Sequence, residues 1–166
     1  EELNYRNPYN YKIVYNSFEN LADYRDEQSL MDDIFSLAAI IEDKLIYLID
    51  KESIDLLIVN NIFSIGWGLS AAIAFNNAIK KTKIPAISHH HVFYWEREKY
   101  SFPTCSSVKE IMDKYFPPKD KNIYHIVLNK IAQKELLERR GILADIVPNV
   151  FDFNAKPWTI DQYNSR

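Results

Sequence analysis

Short apolar runs alternate with longer amphipathic stretches along most of this chain, and that alternation limits the possible folds more than any other feature. Between residues 29 and 50, apolar residues three or four positions apart form a stripe that predicts a helix, with Ser29 as its cap. A continuous apolar run at 54–59 follows. Such a run is typical of a buried strand in a parallel sheet whose two faces are both covered by helices.

The same alternation continues to residue 147. Further helices are predicted over 69–80, over a short segment opened by a capping box at 107–110, and over 130–140, where Gly141 ends the helix. Further strands are predicted over 84–88, 123–128 and 144–147, and over 11–15 on β-branched and aromatic character. Strands and helices that alternate over short loops predict an α/β fold, with a Rossmann-like parallel sheet flanked by helices.

Composition excludes several classes of protein. The 166 residues carry a net charge of −3, which provides no positive field to attract nucleic acid or an anionic membrane. The single cysteine, Cys105, cannot form an intrachain disulfide, which favours a reducing compartment. Only 3 glycines are present, and the P-loop, Gly-x-Ser-x-Gly and His-Glu-x-x-His patterns are absent. The common motifs for nucleotide hydrolysis, serine hydrolases and zinc proteases are therefore missing.

The stretch between Asp55 and Lys80 contains no charged residue and is long enough to cross a bilayer. Asparagine, serine and glycine interrupt it, and amide side chains are costly in hydrocarbon, so we expect a buried strand, a turn and a helix instead. The chain begins without a methionine or a signal-peptide pattern. We expect a cytoplasmic protein with no transmembrane segment, and we interpret the chain as a piece of a longer polypeptide.

Polar side chains follow each of the four strands predicted between residues 54 and 147, at the edge where open α/β sheets bind their ligands. These polar positions are Asn60 and Asn61, the run from His89 to Glu98, Asn129 and Lys130, and residues 148–152. Because the carboxyl ends of parallel strands meet at one edge, this pattern is the strongest indication of a site that the composition offers.

Three consecutive histidines, His89, His90 and His91, are the most conspicuous polar feature. On an extended segment His89 and His91 share one face, while His90 points to the other. One interpretation is a metal site with His89, His91 and Glu96 as ligands, for which the sequence supplies no fourth ligand. A second is a neutral histidine that faces a ligand hydroxyl or phosphate, and a third is a solvated strand end without a function.

The aromatic run Phe93, Tyr94 and Trp95 stands beside Glu96 and Arg97. Aromatic rings interleaved with charges can cover an exposed sheet edge. They can also stack against a sugar ring whose hydroxyl groups bind the carboxylate and the guanidinium. The residues alone leave both interpretations open.

Two segments resemble a known family of enzymes. Residues 85–97 read Pro-Ala-Ile-Ser-His-His-His-Val-Phe-Tyr-Trp-Glu-Arg. This run closely resembles the His-His-His-Asp-Phe-Tyr-Trp-Glu-Arg stretch in a branch of the family 4 (group 1) glycosyltransferases, which are retaining enzymes of the GT-B fold. Residues 147–153, Val-Pro-Asn-Val-Phe-Asp-Phe, resemble the same family's Pro-Asn-Gly/Val-x-Asp segment before the interdomain hinge. The resemblance covers residues 30–154.

The resemblance implies two Rossmann-like domains that face each other across a cleft, the first binding the acceptor and the second the nucleotide-sugar donor. Residues 1–154 resemble most of the first domain, and 155–166 its hinge or tail. The family's opening strand with its glycine-rich loop and the whole donor domain have no counterpart here. The implied function is the acceptor-side domain of a hexosyltransferase that acts on a hydroxyl acceptor, needs no metal or cofactor, and is inactive as an isolated fragment.

By the same resemblance, His91 matches the family's strand-end histidine, which faces the donor sugar, and it is the expected catalytic residue. Glu96 and Arg97 match the charged pair after the aromatic residues, and Asn149 matches the asparagine near the hinge. Together with His90, these three are the expected substrate-binding residues, and no metal ligands are assigned.

Two positions depart from the family pattern. An aspartate commonly stands where this chain has Val92, so a hydrogen-bond acceptor for a sugar hydroxyl or for His91 is lost, and Asn129 stands where many relatives carry serine. Two other functions stay open on the residues alone: a non-catalytic flavodoxin-like binding module, and a metal-dependent hydrolase built on His89, His91 and Glu96.

Overall fold

Four parallel strands lie side by side in chain order. They are β1 Leu57–Asn60, β2 Ala86–His90, β3 Ile123–Val127 and β4 Ala144–Ile146. The computed structural model that shows them describes residues 2–4, 7–150, 152 and 154–155. The strand register pairs Asn60 with His89, and His90 with Val127, so the polar strand ends meet at one edge. The predicted α/β fold with a parallel sheet is confirmed.

The helices alternate with these strands. They are α1 Pro8–Phe18, α2 Glu27–Lys51, α3 Leu69–Thr82, α4 Glu98–Ser101, α5 Ser106–Tyr115 and α6 Lys130–Arg140, with a short 3-10 turn at Tyr94–Glu96. The prediction for α6 is confirmed at its end, because Gly141 has a φ of 62° in the left-handed region that glycine favours. Asn129 caps the start of α6, since its side chain accepts a hydrogen bond from the Ala132 N–H at 3.0 Å.

The strand predicted over 11–15 is wrong, because these residues belong to α1. The side chain of Asn7 caps this helix and Pro8 occupies its first turn, where the missing N–H does no harm. Its buried residues are Asn10, Ile13, Val14, Asn16, Ser17 and Phe18. Three of these six are polar, so the apolar residues alone do not show a clear helical stripe in the sequence.

Two predicted helix caps are also wrong. Asp26, not Ser29, caps α2: its carboxylate accepts from the Ser29 N–H at 2.8 Å, and the Ser29 hydroxyl accepts from the Asp26 N–H at 3.2 Å. The capping box predicted at Ser107 and Glu110 does not form, because α5 begins without a side-chain cap. The Ser107 N–H instead donates to the carboxylate of Glu27, at 3.4 Å.

The core lies between the helices and one face of the sheet. Strand residues Val59, Ile123 and Val127 are buried on that face. On the opposite face, Ile58 and Tyr124 are 69% and 55% exposed. Within the described residues, helices therefore cover one face of the sheet and leave these two side chains on the other face exposed. The apolar run at 54–59 had predicted a strand with helices on both faces.

The uncharged stretch forms β1, a loop and α3, as predicted. In the part of the chain that the structure describes, none of the helices is both long enough and apolar enough to cross a membrane. Apart from residue 155, the predicted hinge or tail at 155–166 lies outside the described residues.

Candidate functional site

Asn61 joins the ends of the first two strands. Its φ of 58° lies in the left-handed region, which asparagine tolerates better than most residues. Its backbone N–H donates to the His89 carbonyl at 3.0 Å, and its side-chain Oδ1 accepts from the His91 N–H at 2.8 Å. The hydroxyl of Ser64 donates to the same oxygen at 3.4 Å. The backbone of His91 is therefore held in place from the neighbouring strand.

His89 and His91 lie on the same side of the chain, as their spacing predicts. Their ring centroids are 4.3 Å apart, and His91 Nε2 lies 3.4 Å from His89 Nδ1. Both residues are half-buried. Partial burial lowers the pKa of His91 below its usual value of 6.5, and the nearby His89 ring lowers it further by a smaller amount. A neutral imidazole at pH 7 can donate to or accept from a hydroxyl group without bringing a charge into the site.

His90, one of the expected substrate-binding residues, points into the core and not toward the candidate site. The residue is 1% exposed, which leaves no surface for a ligand. Its Nε2 lies 2.9 Å from Nδ1 of His125 on the neighbouring strand, and the two rings are nearly parallel. His90 also packs against the ring of Phe93, with 5.1 Å between the ring centroids.

The two buried histidines form a neutral pair. His125 also hydrogen-bonds the backbone of Pro118, which has no N–H and so accepts through its carbonyl. The remaining nitrogen, His125 Nδ1, then accepts from the Nε2–H of His90. Burial lowers the pKa of His125 to about 4, and it lowers the pKa of His90 well below 6.5. The sequence did not reveal His125, because its partner lies 35 positions away.

Glu96 and Arg97 follow the histidines but differ in their contacts. The carboxylate of Glu96 accepts a hydrogen bond from the Phe93 N–H at 2.5 Å, which closes the turn at 94–96. Arg97 is exposed, and its guanidinium has no carboxylate partner among the described residues. The carboxylate of Glu96 is thus hydrogen-bonded to the backbone of its own turn, whereas the guanidinium of Arg97 is available to an anionic ligand.

The aromatic run packs inward rather than forming a platform. Phe93 is buried and stacks on Trp95, with 4.3 Å between the ring centroids. The indole N–H of Trp95 donates to Glu135 of α6 at 2.9 Å, and the Arg139 guanidinium lies over the Trp95 ring. These contacts favour the structural interpretation of the aromatic run over the sugar-stacking one.

The described residues do not assemble the metal site that was one interpretation of the histidines. Within the described ranges, no group of three or more histidine, cysteine, aspartate or glutamate side chains is arranged to hold a metal ion. His89 and His91 are adjacent, but the third expected ligand, Glu96, is bound to the Phe93 N–H.

Two cavities flank the loop between β1 and α3, and Trp67 lines both. The first has a volume of about 270 Å³ and includes Asn60 and Asn61 at its wall. The second has a volume of about 440 Å³ and includes Arg97 and Tyr100. Trp67 is 38% exposed, so its ring presents a surface to solvent between the two cavities. Sequence reasoning missed Trp67, although an aromatic residue between two glycines in a strand-end loop is a signal of such a role.

Gly66 fixes the position of that loop. A side chain at this position would place Cβ 2.9 Å from the Phe18 ring and 3.2 Å from both Met112 and Tyr100. The backbone at Gly66 therefore lies directly against the core, and the neighbouring Trp67 is held at the surface.

Asn149 lies exposed beyond β4. Within the described part of the chain it makes no hydrogen bond or ion pair with His91 or Arg97. The structure thus brings Asn61, His89, His91 and Trp67 to one edge, places Arg97 at the second cavity, and leaves Asn149 apart.

Comparisons with known proteins agree with a glycosyltransferase. The chain is 48% identical over 124 residues to the mannosylglucosylglycerate synthase of Petrotoga mobilis, a match that covers 75% of this chain and 28% of that protein. It is 33% identical over 166 residues to the mannosylglucosylglycerate synthase of Thermotoga maritima, covering 99% of this chain and 37% of that protein. The chain spans well under half the length of these relatives. No family model and no solved structure matches the chain.

Proposed function

We propose that this chain is the acceptor-side part of a nucleotide-sugar-dependent, retaining glycosyltransferase that makes mannosylglucosylglycerate or a close analogue. The observation that carries the proposal is the similarity to two synthases of that name along most of the chain. The resemblance of residues 85–97 to retaining family 4 enzymes and the polar edge of the parallel sheet support it. The donor is bound mainly by a part of the longer polypeptide outside this chain.

The product name of the relatives suggests how the substrates divide. Mannosylglucosylglycerate contains a mannosyl group attached to glucosylglycerate, so the donor supplies the mannosyl group and glucosylglycerate is the acceptor. This acceptor combines a sugar ring, several hydroxyl groups and one carboxylate. A site for it needs an apolar surface for the ring, a cation for the carboxylate, and neutral hydrogen-bonding groups near the reacting hydroxyl.

The larger of the two cavities beside Trp67 offers an apolar surface for the sugar ring and a cation for the carboxylate. Trp67 and Tyr100 provide aromatic surface against which a sugar ring stacks. Arg97 provides the cation, and among the described residues its guanidinium has no competing carboxylate. Lys99, at the same cavity, is already paired with Glu19 at 2.5 Å. Arg97 is therefore the residue that binds the acceptor carboxylate in this proposal.

His91 supplies the neutral hydrogen-bonding group. As the bond between the donor sugar and its diphosphate breaks, positive charge develops on the sugar ring. A neutral imidazole, on a backbone that Asn61 holds in place, positions a sugar hydroxyl without repelling that charge. The catalytic contribution of His91 is thus one of orientation and hydrogen bonding, not of proton removal.

The test uses the full-length polypeptide that contains this chain. It is incubated with GDP-, UDP- and ADP-mannose and the corresponding glucose donors, each with glucosylglycerate or with methyl glucoside, which lacks the carboxylate. Release of nucleoside diphosphate and the mass of the product are followed. The proposal predicts mannosyl transfer, with glucosylglycerate preferred. Turnover with none of the donors, or a glucosyl product, contradicts it.

A further inference from the structure

A cavity of about 380 Å³ lies where the C-terminal ends of α3, α5 and α6 converge, and neither His89 nor His91 lines it. In a strand–helix–strand unit, the helix ends at the amino edge of the sheet, opposite the candidate site. The basic residues that line this cavity are Lys80, Lys114, Lys119, Arg139 and Arg140. Asp113 is the one carboxylate that lines it among the described residues. A strongly positive cavity has thus formed on a chain whose net charge is −3.

The helix dipole accounts for part of this charge. Basic residues in the last turn of a helix stabilise its exposed carbonyl groups, and α3, α5 and α6 all carry such residues there. Two of the five cations also have acidic partners: Lys80 lies 3.8 Å from Asp120, and Arg140 lies 3.8 Å from Asp113. Within the described residues the other three have no ion pair, and these are Lys114, Lys119 and Arg139. Lys114 and Arg139 lie over the rings of Tyr115 and Trp95, but no described carboxylate neutralises any of the three charges.

Two buried donors at the same cavity point to a ligand. Asn76 is 1% exposed, lines the cavity, and its Nδ2 has no hydrogen-bond partner in the described structure. The Nε of Arg140 is also buried without a partner. Leaving a buried donor unpaired costs about 1–3 kcal/mol. Both orphaned groups donate hydrogen bonds and neither accepts them, which matches an anion rather than a cation or a neutral apolar molecule.

We propose that this cavity is a binding site for a small molecule that carries one or two phosphate groups. Phosphate oxygens accept several hydrogen bonds, and their double charge can be balanced by the three cations that have no ion pair. A volume of about 380 Å³ exceeds the size of one phosphate ion, so it admits a diphosphate or a phosphorylated sugar. The site is separate from the sheet edge that binds the sugars, and the proposal does not depend on the glycosyltransferase assignment.

Calorimetric titration of the 166-residue chain with pyrophosphate tests this site. Inorganic phosphate and citrate serve as the other probes, and sodium chloride keeps the ionic strength constant so that general screening does not contribute. We expect one pyrophosphate per chain, bound more tightly than citrate, together with a rise in the unfolding temperature. Absence of saturable pyrophosphate binding overturns the proposal, and so does equal binding of citrate, which would mark a site for any polyanion.

Two variants locate the binding. The double variant Lys114→Gln, Lys119→Gln removes two unpaired cations, and Asn76→Leu replaces the buried amide with an apolar group of similar size. Each is expected to weaken pyrophosphate binding about tenfold or more. Lys134→Gln is the matched control, because Lys134 pairs with Glu138 on the outer surface of α6 and does not line the cavity. If Asn76→Leu fails to fold, pyrophosphate affinity in the double variant at Lys114 and Lys119 tests the assignment instead. Wild-type affinity in that double variant overturns the assignment.

Discussion

The side-chain oxygen of Asn61 accepts a hydrogen bond from the backbone N–H of His91 across 2.8 Å, which joins the ends of two neighbouring strands. The bond connects the loop that carries Trp67 to the segment that carries the histidines. Asn61 also lines the smaller of the two cavities beside Trp67. The position of the His91 backbone relative to the end of β1 therefore depends on one asparagine in a left-handed conformation.

Asn61→Gly is expected to loosen this connection, because glycine keeps the left-handed backbone but removes the acceptor. Loss of one hydrogen bond worth about 1 kcal/mol should speed hydrogen exchange at the His91 amide about fivefold. Asn61→Asp is the matched control, since it retains an oxygen at the same place. NMR-detected exchange on the chain provides the measurement, and an unchanged exchange rate in the glycine variant would refute the role of Asn61.

The buried pair of His90 and His125 should make stability depend on pH. In the unfolded chain both rings take up a proton near pH 6.5, whereas in the folded chain the pKa of His125 is about 4 and that of His90 is also lowered. The unfolded state therefore binds more protons between these values. The free energy of unfolding is expected to be highest above pH 6.5 and to fall as the pH drops toward 4.

Each histidine that is protonated only on unfolding contributes a slope of about 1.4 kcal/mol per pH unit. His125→Gln keeps hydrogen-bonding groups but does not titrate, so its stability should fall less steeply over the same range. Urea unfolding at half-unit steps of pH compares the two proteins, and carboxylates contribute equally to both. Identical slopes would show that the histidine pair does not control this dependence.

Gly66→Ala should both destabilise the chain and displace Trp67. The new Cβ would lie 2.9 Å from the Phe18 ring, so the loop or the core must shift, at a cost of about 1–3 kcal/mol. Gly68→Ala is the control in the same loop, because its Cβ would lie 3.5 Å from the nearest atom, on Ala71. Thermal unfolding and the KM for acceptor are measured for both. Equal effects of the two substitutions would contradict the close packing at Gly66.

Arg97→Gln should reduce selectivity for an acceptor that carries a carboxylate. Removing one charged hydrogen-bond donor is expected to raise the KM for glucosylglycerate about tenfold or more and to leave the KM for methyl glucoside unchanged. Arg25→Gln is a suitable control, because Arg25 is exposed and lies beside Asp26 at the start of α2, outside the cavity. If both acceptors are affected equally, the carboxylate is bound elsewhere.

The fold was predictable to the extent that its elements show one clear period. The stripe of α3 and the end of α6 at Gly141 followed from local sequence, because apolar spacing and a left-handed glycine are local properties. Helix α1 was not predictable in this way, since Asn10 and Ser17 occupy buried positions on its inner face. Tertiary contacts at these two positions override the apparent strand propensity.

The meeting of the polar strand ends was predictable, but the contacts that their side chains make were not. Parallel pairing brings Asn60 opposite His89, and alternation along the chain places His89 and His91 together. No local pattern in the sequence shows that His90 is buried against His125. Nor does any show that Glu96 accepts a hydrogen bond from the Phe93 N–H. The exposure of Trp67 was not predictable, because it depends on the close packing of Gly66 against the core.

Sugar transfer at this edge of the sheet is tested by the rate of mannosyl transfer by His91→Ala in the full-length polypeptide. Tyr124→Phe is measured beside it as a control, because Tyr124 is exposed and lies toward the amino end of β3, opposite Ile87, and not at the carboxyl edge that carries His91. If His91 orients the reacting groups, His91→Ala lowers kcat by about a hundredfold or more with little change in unfolding temperature, while Tyr124→Phe retains normal turnover. Full turnover by His91→Ala would contradict the placement of sugar transfer at this edge of the sheet.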